Sequence, residues 1–179
     1  MTVSRRTVVT GGVRSGKSAY AERLLEAASS VTYIAPGPMP DPDDADWSAR
    51  VAAHQSRRPS HWRTVETADA AQAIADADGA VLLDCVGTWV TSMLDDIGAW
   101  DQPQEAWIGE VARRLDALAT AWSSGTGRLV AVTNEVGMGV HPEFRSGRVF
   151  RDVLGLANQR LAAVSDDVVL LVAGRPLRL

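Results

Sequence analysis

The sequence is poor in cysteine, in net positive charge and in long apolar runs. It has a single cysteine, Cys85, so no intramolecular disulfide can form and a reducing compartment is expected. No apolar run approaches the roughly 20 residues that a membrane-spanning helix needs. Residues Met1–Arg6 run straight into a β-branched stretch, which predicts no secretory leader and a cytoplasmic protein. There is no excess of positive charge: the net charge of −4 offers no electrostatic footprint for nucleic acid. No internal repeat is present, and the Pro/Asp-rich stretch Asp41–Asp46 reads as a loop rather than a linker. One domain spanning residues 1–179 is expected, with 46% hydrophobic residues to fill its core.

What is present is organised around Gly11-Gly12-Val13-Arg14-Ser15-Gly16-Lys17-Ser18. This octapeptide satisfies the phosphate-loop pattern G-x-x-x-x-G-K-[ST] at every fixed position. Its context is also right. Thr7-Val8-Val9-Thr10 reads as a buried strand, and Ala21, Leu24, Leu25 and Ala28 recur on one face of a helix. A loop between a strand and a helix N-terminus directs backbone N–H groups and the positive end of the helix dipole at an anion. Lys17 is placed to reach the outer phosphates of a nucleotide, and Ser18 to ligate Mg²⁺.

Further strands follow. Val31–Ala35 stops at Pro36-Gly37-Pro38, either an ordinary turn or a ligand-lining strand end. Residues 45–58 read as a helix ended by Pro59, with Arg50, His54, Arg57 and Arg58 on one face. Cationic neighbours favour a neutral, nucleophilic imidazole, and the arginines could hold a triphosphate; a solvated basic face explains the same spacing. His61–Thr67 reads as a strand that brings Glu66 to its end, for a base or ribose or as a cap for a helix over Ala68–Ala77. Ala80-Val81-Leu82-Leu83-Asp84 is an apolar run ending in a carboxylate, the usual place for a Mg²⁺ partner in phosphate-loop proteins. Cys85 reads as packing.

Two amphipathic stripes come next: Val86, Trp89, Val90, Met93, Leu94 and Ile97, then Trp107, Val111, Leu115, Leu118 and Trp122. Leu129–Thr133 is another buried strand. It opens into Asn134-Glu135-Val136-Gly137-Met138-Gly139, a polar segment suited to line a site and unlike the N-K-x-D guanine-reading sequence of regulatory GTPases. A helix carrying Phe150, Val153, Leu154, Ala157, Leu161 and Val164 precedes the strand Val168–Val172, and Pro176–Leu179 reads as an edge hairpin strand. Strands alternate with helices throughout, so the expected fold is a three-layer α/β sandwich with a mostly parallel sheet, of the RecA-like P-loop NTPase class.

The ordered set of these motifs resembles the bifunctional adenosylcobinamide kinase / adenosylcobinamide-phosphate guanylyltransferase family of cobalamin biosynthesis. The most specific segments are His54 followed by Arg58-Pro59, Trp62-Arg63-Thr64-Val65-Glu66, and Thr133-Asn134-Glu135-Val136-Gly137-Met138-Gly139. The resemblance implies two reactions: phosphorylation of adenosylcobinamide by ATP or GTP, then transfer of GMP from GTP through a guanylylated histidine, at the position of His54. It implies that Gly11–Ser18, Gln55, Ser56, Arg57, Arg58, Glu66 and Asp84 contact nucleotide, with Ala35, Pro36 and Gly37 beside it. It also implies Mg²⁺ at Ser18 and Asp84, a corrinoid substrate and a homotrimer. Three positions depart from the family pattern: Ala53 replaces a second histidine, and Pro36 and Gly87 each replace a threonine. Val86–Ile97 and Asn134–Arg145 are candidates for the corrinoid pocket by location. A simple small-molecule P-loop kinase, with His54 dispensable, and a nucleotide-dependent switch are the competing readings.

Overall fold

The structure is a computed structural model that describes residues 5–37, 49, 52 and 58–179. Within them the chain runs β1 (Arg6–Gly11), α1 (Lys17–Leu24), β2 (Val31–Ala35), β3 (Arg63–Glu66), α2 (Ala70–Ala75), β4 (Ala80–Asp84), α3 (Val86–Asp96), α4 (Gln104–Ser124), β5 (Leu129–Val132), α5 (Arg145–Ala163), β6 (Asp167–Val172) and β7 (Arg175–Arg178). The strands form one sheet in the order β3-β2-β4-β5-β1-β6-β7. All pairings are parallel except the hairpin of β6 with β7.

The apolar runs β1, β4 and β5 are central strands, and such strands need side chains that bury on both faces. Alternation sorts those side chains into two cores. Val9, Tyr33, Leu82, Val130 and Val132 face α1, meeting Ala21 and Leu25, together with Trp62. Val8, Ile34, Val81, Leu83 and Ala131 face the opposite way, toward the buried stripes of α3, α4 and α5. The helix stripes read from the sequence bury as expected: Trp107, Val111, Leu115, Leu118 and Trp122 are all inside. The architecture is therefore the expected three-layer α/β P-loop NTPase sandwich.

Several boundaries differ from the sequence reading. The third strand is confined to Arg63–Glu66, and the helix expected over Ala68–Ala77 shortens to Ala70–Ala75. Its cap is Asp69, whose Oδ1 accepts from the Gln72 amide at 3.0 Å. Glu66 is thus not the cap; it stands exposed at the end of β3. The helix expected over residues 45–58 lies almost wholly outside the described residues; residues 49 and 52 are helical.

The order of strands fixes where a ligand can sit. From β1 the chain crosses over one face, through α1, toward β2; from β5 it crosses the other face, through α5, to β6. Adjacent strands β1 and β5 therefore send their connections in opposite directions, which opens a crevice at their carboxyl ends.

Candidate active site

The loop between β1 and α1 lies at that crevice. Gly11 has φ +148, and a β-carbon there would lie 2.5 Å from the Leu171 carbonyl oxygen of β6, so only glycine fits. Gly16, at φ +94, starts α1. Arg14 is also left-handed, at φ +56, at the exposed crest beside Val13 and Gly12. The Ser15 amide donates to the Gly12 carbonyl, and the Ser15 carbonyl accepts from the Gly174 amide of the β6–β7 turn. The loop is thus pinned to two strands before any ligand arrives. Gly16 offers no side chain to cap α1, and its first turn carries no acidic residue. Ser15 Oγ is buried with no hydrogen-bond partner among the described residues. Free donors at a helix start, with nothing negative beside them, are what an anion needs.

Lys17 is the first residue of α1 and is only 8% exposed. Its Nζ donates to the Gly12 carbonyl at 2.7 Å, which folds the side chain back over the loop. Burial lowers its pKa below the ordinary lysine value, and the charge of Asp84 acts in the opposite sense. Ser18 follows, half-buried in the same turn.

Asp84 ends β4, half-exposed at the same edge of the sheet. Its Oδ2 accepts a hydrogen bond of 3.0 Å from the Tyr33 hydroxyl. Tyr33 in turn carries the Arg58 guanidinium over its ring, 3.5 Å from the centroid, and Arg58 donates to Thr64 Oγ1 at 3.1 Å. The ends of β2 and β3 close this side. The Ala35 carbonyl accepts from the Thr67 amide, and the buried Pro36 offers its carbonyl to Ser92 Oγ of α3 at 2.9 Å. Gly37 is half-buried beside it. Cys85 is held protonated, its pKa raised by burial, which agrees with a packing role.

The end of β5 forms the remaining wall. Thr133 is fully buried and donates to Asn158 Oδ1 at 2.6 Å, while Asn158 Nδ2 donates to the Asn134 carbonyl at 3.1 Å. The Glu135 amide reaches the Gly11 carbonyl at 3.1 Å, which ties this segment to the phosphate loop. Beyond it, the start of α5 presents three arginines to backbone carbonyls. Arg148 bonds Pro142 and Glu143, Arg151 bonds Val140, and Arg145 bonds Ala99, Trp100 and Gln102. Held in this way, the segment exposes Met138, Val140 and Phe144 at 80%, 93% and 75%.

Gly11–Ser18, Ala35–Gly37, Glu66 and Asp84 therefore stand at the carboxyl ends of β1, β2, β3 and β4, and Arg58 is tied to Asp84 through Tyr33. His54, Gln55, Ser56 and Arg57 lie outside the described residues. Sequence reading gave no role to Tyr33, Thr133 or Asn158; only a buried polar residue within an apolar strand hinted at the first two. Among the described residues no group of three or more His, Cys, Asp or Glu forms a metal cage. The hydroxyl of Ser18 and the carboxylate of Asp84 are hard oxygen donors, a sparse pair that would fit Mg²⁺, which keeps water and phosphate in its shell.

The fold is similar to that of an ATPase from a type III secretion system of pathogenic bacteria, with a TM-score of 0.61 at 12% identity over 94% of this chain and 51% of that one. Closer relationships lie in the sequence. The chain is 42% identical over 180 residues to the bifunctional adenosylcobalamin biosynthesis protein CobU of Salmonella typhimurium, covering 93% of this chain and 95% of that protein. It is 37% identical over 179 residues to CobP of Pseudomonas aeruginosa, described in the same terms, covering 97% and 96%. The family model described as cobinamide kinase / cobinamide phosphate guanyltransferase matches residues 7–179. With the phosphate loop, the strand-end carboxylate and the sheet order in place, and with similarity along nearly the whole chain, this protein belongs to the cobinamide kinase / cobinamide phosphate guanyltransferase family.

Proposed function

We propose that this chain, acting as one domain, phosphorylates the hydroxyl of adenosylcobinamide with ATP or GTP and then guanylylates the product. The observation that carries the reading is the loop Gly11–Ser18, pinned open at a helix start with Lys17 folded over it, in a member of this family. In the second reaction a lone pair on the His54 imidazole attacks the α-phosphorus of GTP. An N–P bond forms as the bond to the β-phosphate oxygen breaks, and pyrophosphate leaves. A phosphate oxygen of adenosylcobinamide phosphate then attacks the same phosphorus, the N–P bond breaks, and His54 is regenerated.

Lys17 and the loop amides take up the charge on the departing phosphates. Arg58 and Glu66, with Gln55, Ser56 and Arg57, hold the rest of the nucleotide, beside Ala35, Pro36 and Gly37. Ser18 and Asp84 would hold Mg²⁺, which supplies further neutralisation of the leaving group. The protein works in the cytoplasm as a homotrimer; light scattering should give three times the chain mass, and a monomer would overturn that part. Among the described residues no helix is long and apolar enough to cross a membrane.

The test is covalent labelling. GTP labelled at the α-phosphate is incubated with protein and Mg²⁺, and the protein is then denatured. Wild type should retain an acid-labile, base-stable label that His54→Ala does not take up. Absence of label under conditions where GTP demonstrably binds would overturn the guanylyl-histidine step.

A further inference from the structure

We propose that Tyr33 is a positioning residue, its hydroxyl fixing the Asp84 carboxylate and its ring face fixing Arg58, so that the end of β4 and the Arg58 guanidinium share one support. The inference rests on the nucleotide site proposed above and adds to it a residue that contacts no reacting atom. Tyr33 is 1% exposed, and a phenol buried that deeply needs a partner for its hydroxyl. Its partner is the carboxylate of a neighbouring strand. β2 and β4 pair in parallel with Tyr33 opposite Leu82. Side chains two apart share a face, so Asp84 lies diagonally across from Tyr33 on the α1 side of the sheet. The hydroxyl donates to that carboxylate at 3.0 Å.

The ring does a second task. Arg58 lies flat over it at 3.5 Å, and a guanidinium so placed is held by stacking and by the ring quadrupole. Its Nε is buried with no hydrogen-bond partner among the described residues, so the ring supplies part of what holds that group. Arg58 stands four residues after His54 in the sequence. A tyrosine serving the core alone would need neither contact, since phenylalanine fills the same volume. Tyr33 instead joins the strand-end carboxylate to the Arg58 guanidinium through a single rigid side chain.

The test separates hydroxyl from ring. Tyr33→Phe keeps the stack and removes the bond to Asp84. Calorimetry with a non-hydrolysable GTP analogue should show affinity reduced about 10-fold when Mg²⁺ is present and unchanged when it is absent. The single-turnover labelling rate at saturating GTP should change less than about 3-fold, a KM-type effect. Arg58→Lys keeps the charge and loses the flat stack, and should slow labelling at saturation about 10-fold or more. Tyr33→Leu should match that slowing, and Tyr33→Leu with Arg58→Lys should be no slower than either alone. Wild-type analogue affinity in Tyr33→Phe with Mg²⁺, or multiplicative rates in the double variant, would overturn the proposal. Tyr33→Phe and Arg58→Lys decide the matter if Tyr33→Leu fails to fold. If the wild type takes no label, the guanylyl-histidine reading fails, while the calorimetry still decides the role of Tyr33.

Discussion

Lys17 shows how much one residue can be asked to do. It is the only lysine in the sequence, every other basic side chain of the eighteen being arginine. A compact ammonium can fold over a loop and touch a single carbonyl, whereas a guanidinium is a wider planar fork built for paired acceptors. Burial holds its pKa below 10.5 in the ligand-free protein. The sign of the consequence is definite. Between the lowered folded value and the unfolded value the unfolded chain binds more protons, so ligand-free stability rises with pH across that window. Reductive methylation with ¹³C should give one side-chain resonance, titrating with a midpoint below 10.5; a midpoint at or above that value would contradict the burial argument. Lys17→Met should lose triphosphate binding and yet raise the ligand-free melting temperature at neutral pH, by about 2–4 °C for each kcal/mol recovered. At this scale, what was legible in the sequence was local. Gly11–Ser18 are contiguous and their spacing carries the chemistry. The Tyr33–Asp84 bond spans 51 positions, and no pattern in either strand announces that β2 and β4 are neighbours.

Between elements, polar side chains set what the apolar stripes leave free. The stripes of α3, α4 and α5 were readable because helical periodicity survives any topology. They say which face is inward, but not how the carboxyl end of β5 is held. That task falls to Asn158, reaching from α5 to Thr133 and to the Asn134 carbonyl. Thr133 is fully buried, so removing its acceptor leaves a hydroxyl without water or protein partner. Asn158→Ala should cost about 1–3 kcal/mol in denaturant unfolding. Adding Thr133→Val should recover part of that loss, because the orphaned hydroxyl then disappears. Simple additivity of the two costs would show that the bond is not their common cause. The arginines at the start of α5 escaped sequence reading for a related reason. Positive charge at a helix N-terminus opposes the dipole and reads as surface. Here Arg145, Arg148 and Arg151 spend their donors on loop carbonyls, and that use shows only in three dimensions. The helix α2 came out shorter than its alanine-rich stretch implied, because Asp69 rather than Glu66 caps it.

For the whole molecule, alternation of strands and helices was enough to give the fold class, and the hairpin β6–β7 matched the expected edge strand. Strand order was not readable, since it depends on which crossovers run over which face. That order is nonetheless what makes a site of separate motifs. It sets β1 between β5 and β6, β4 beyond β5, and β2 beyond β4, so the loop, the Asp84 carboxylate and the Ala35–Gly37 turn share one edge. A nucleotide seated there would touch the ends of strands from both halves of the sheet and would have no counterpart site in the unfolded chain. Binding must then stabilise the native state by mass action, about 2.7 kcal/mol when free nucleotide is at 100 times its dissociation constant. For a chain of this size that corresponds to roughly 5–10 °C in melting temperature. GTP with Mg²⁺ should produce such a shift in the wild type and leave Lys17→Met unmoved, even though that variant starts from a higher ligand-free value. The two responses pull apart because burial of the ammonium costs stability in the ligand-free protein, and the triphosphate returns it. Saturating GTP and ATP that both leave the wild-type melting temperature unchanged would remove the nucleotide from this edge of the sheet, and with it the assignment of Lys17.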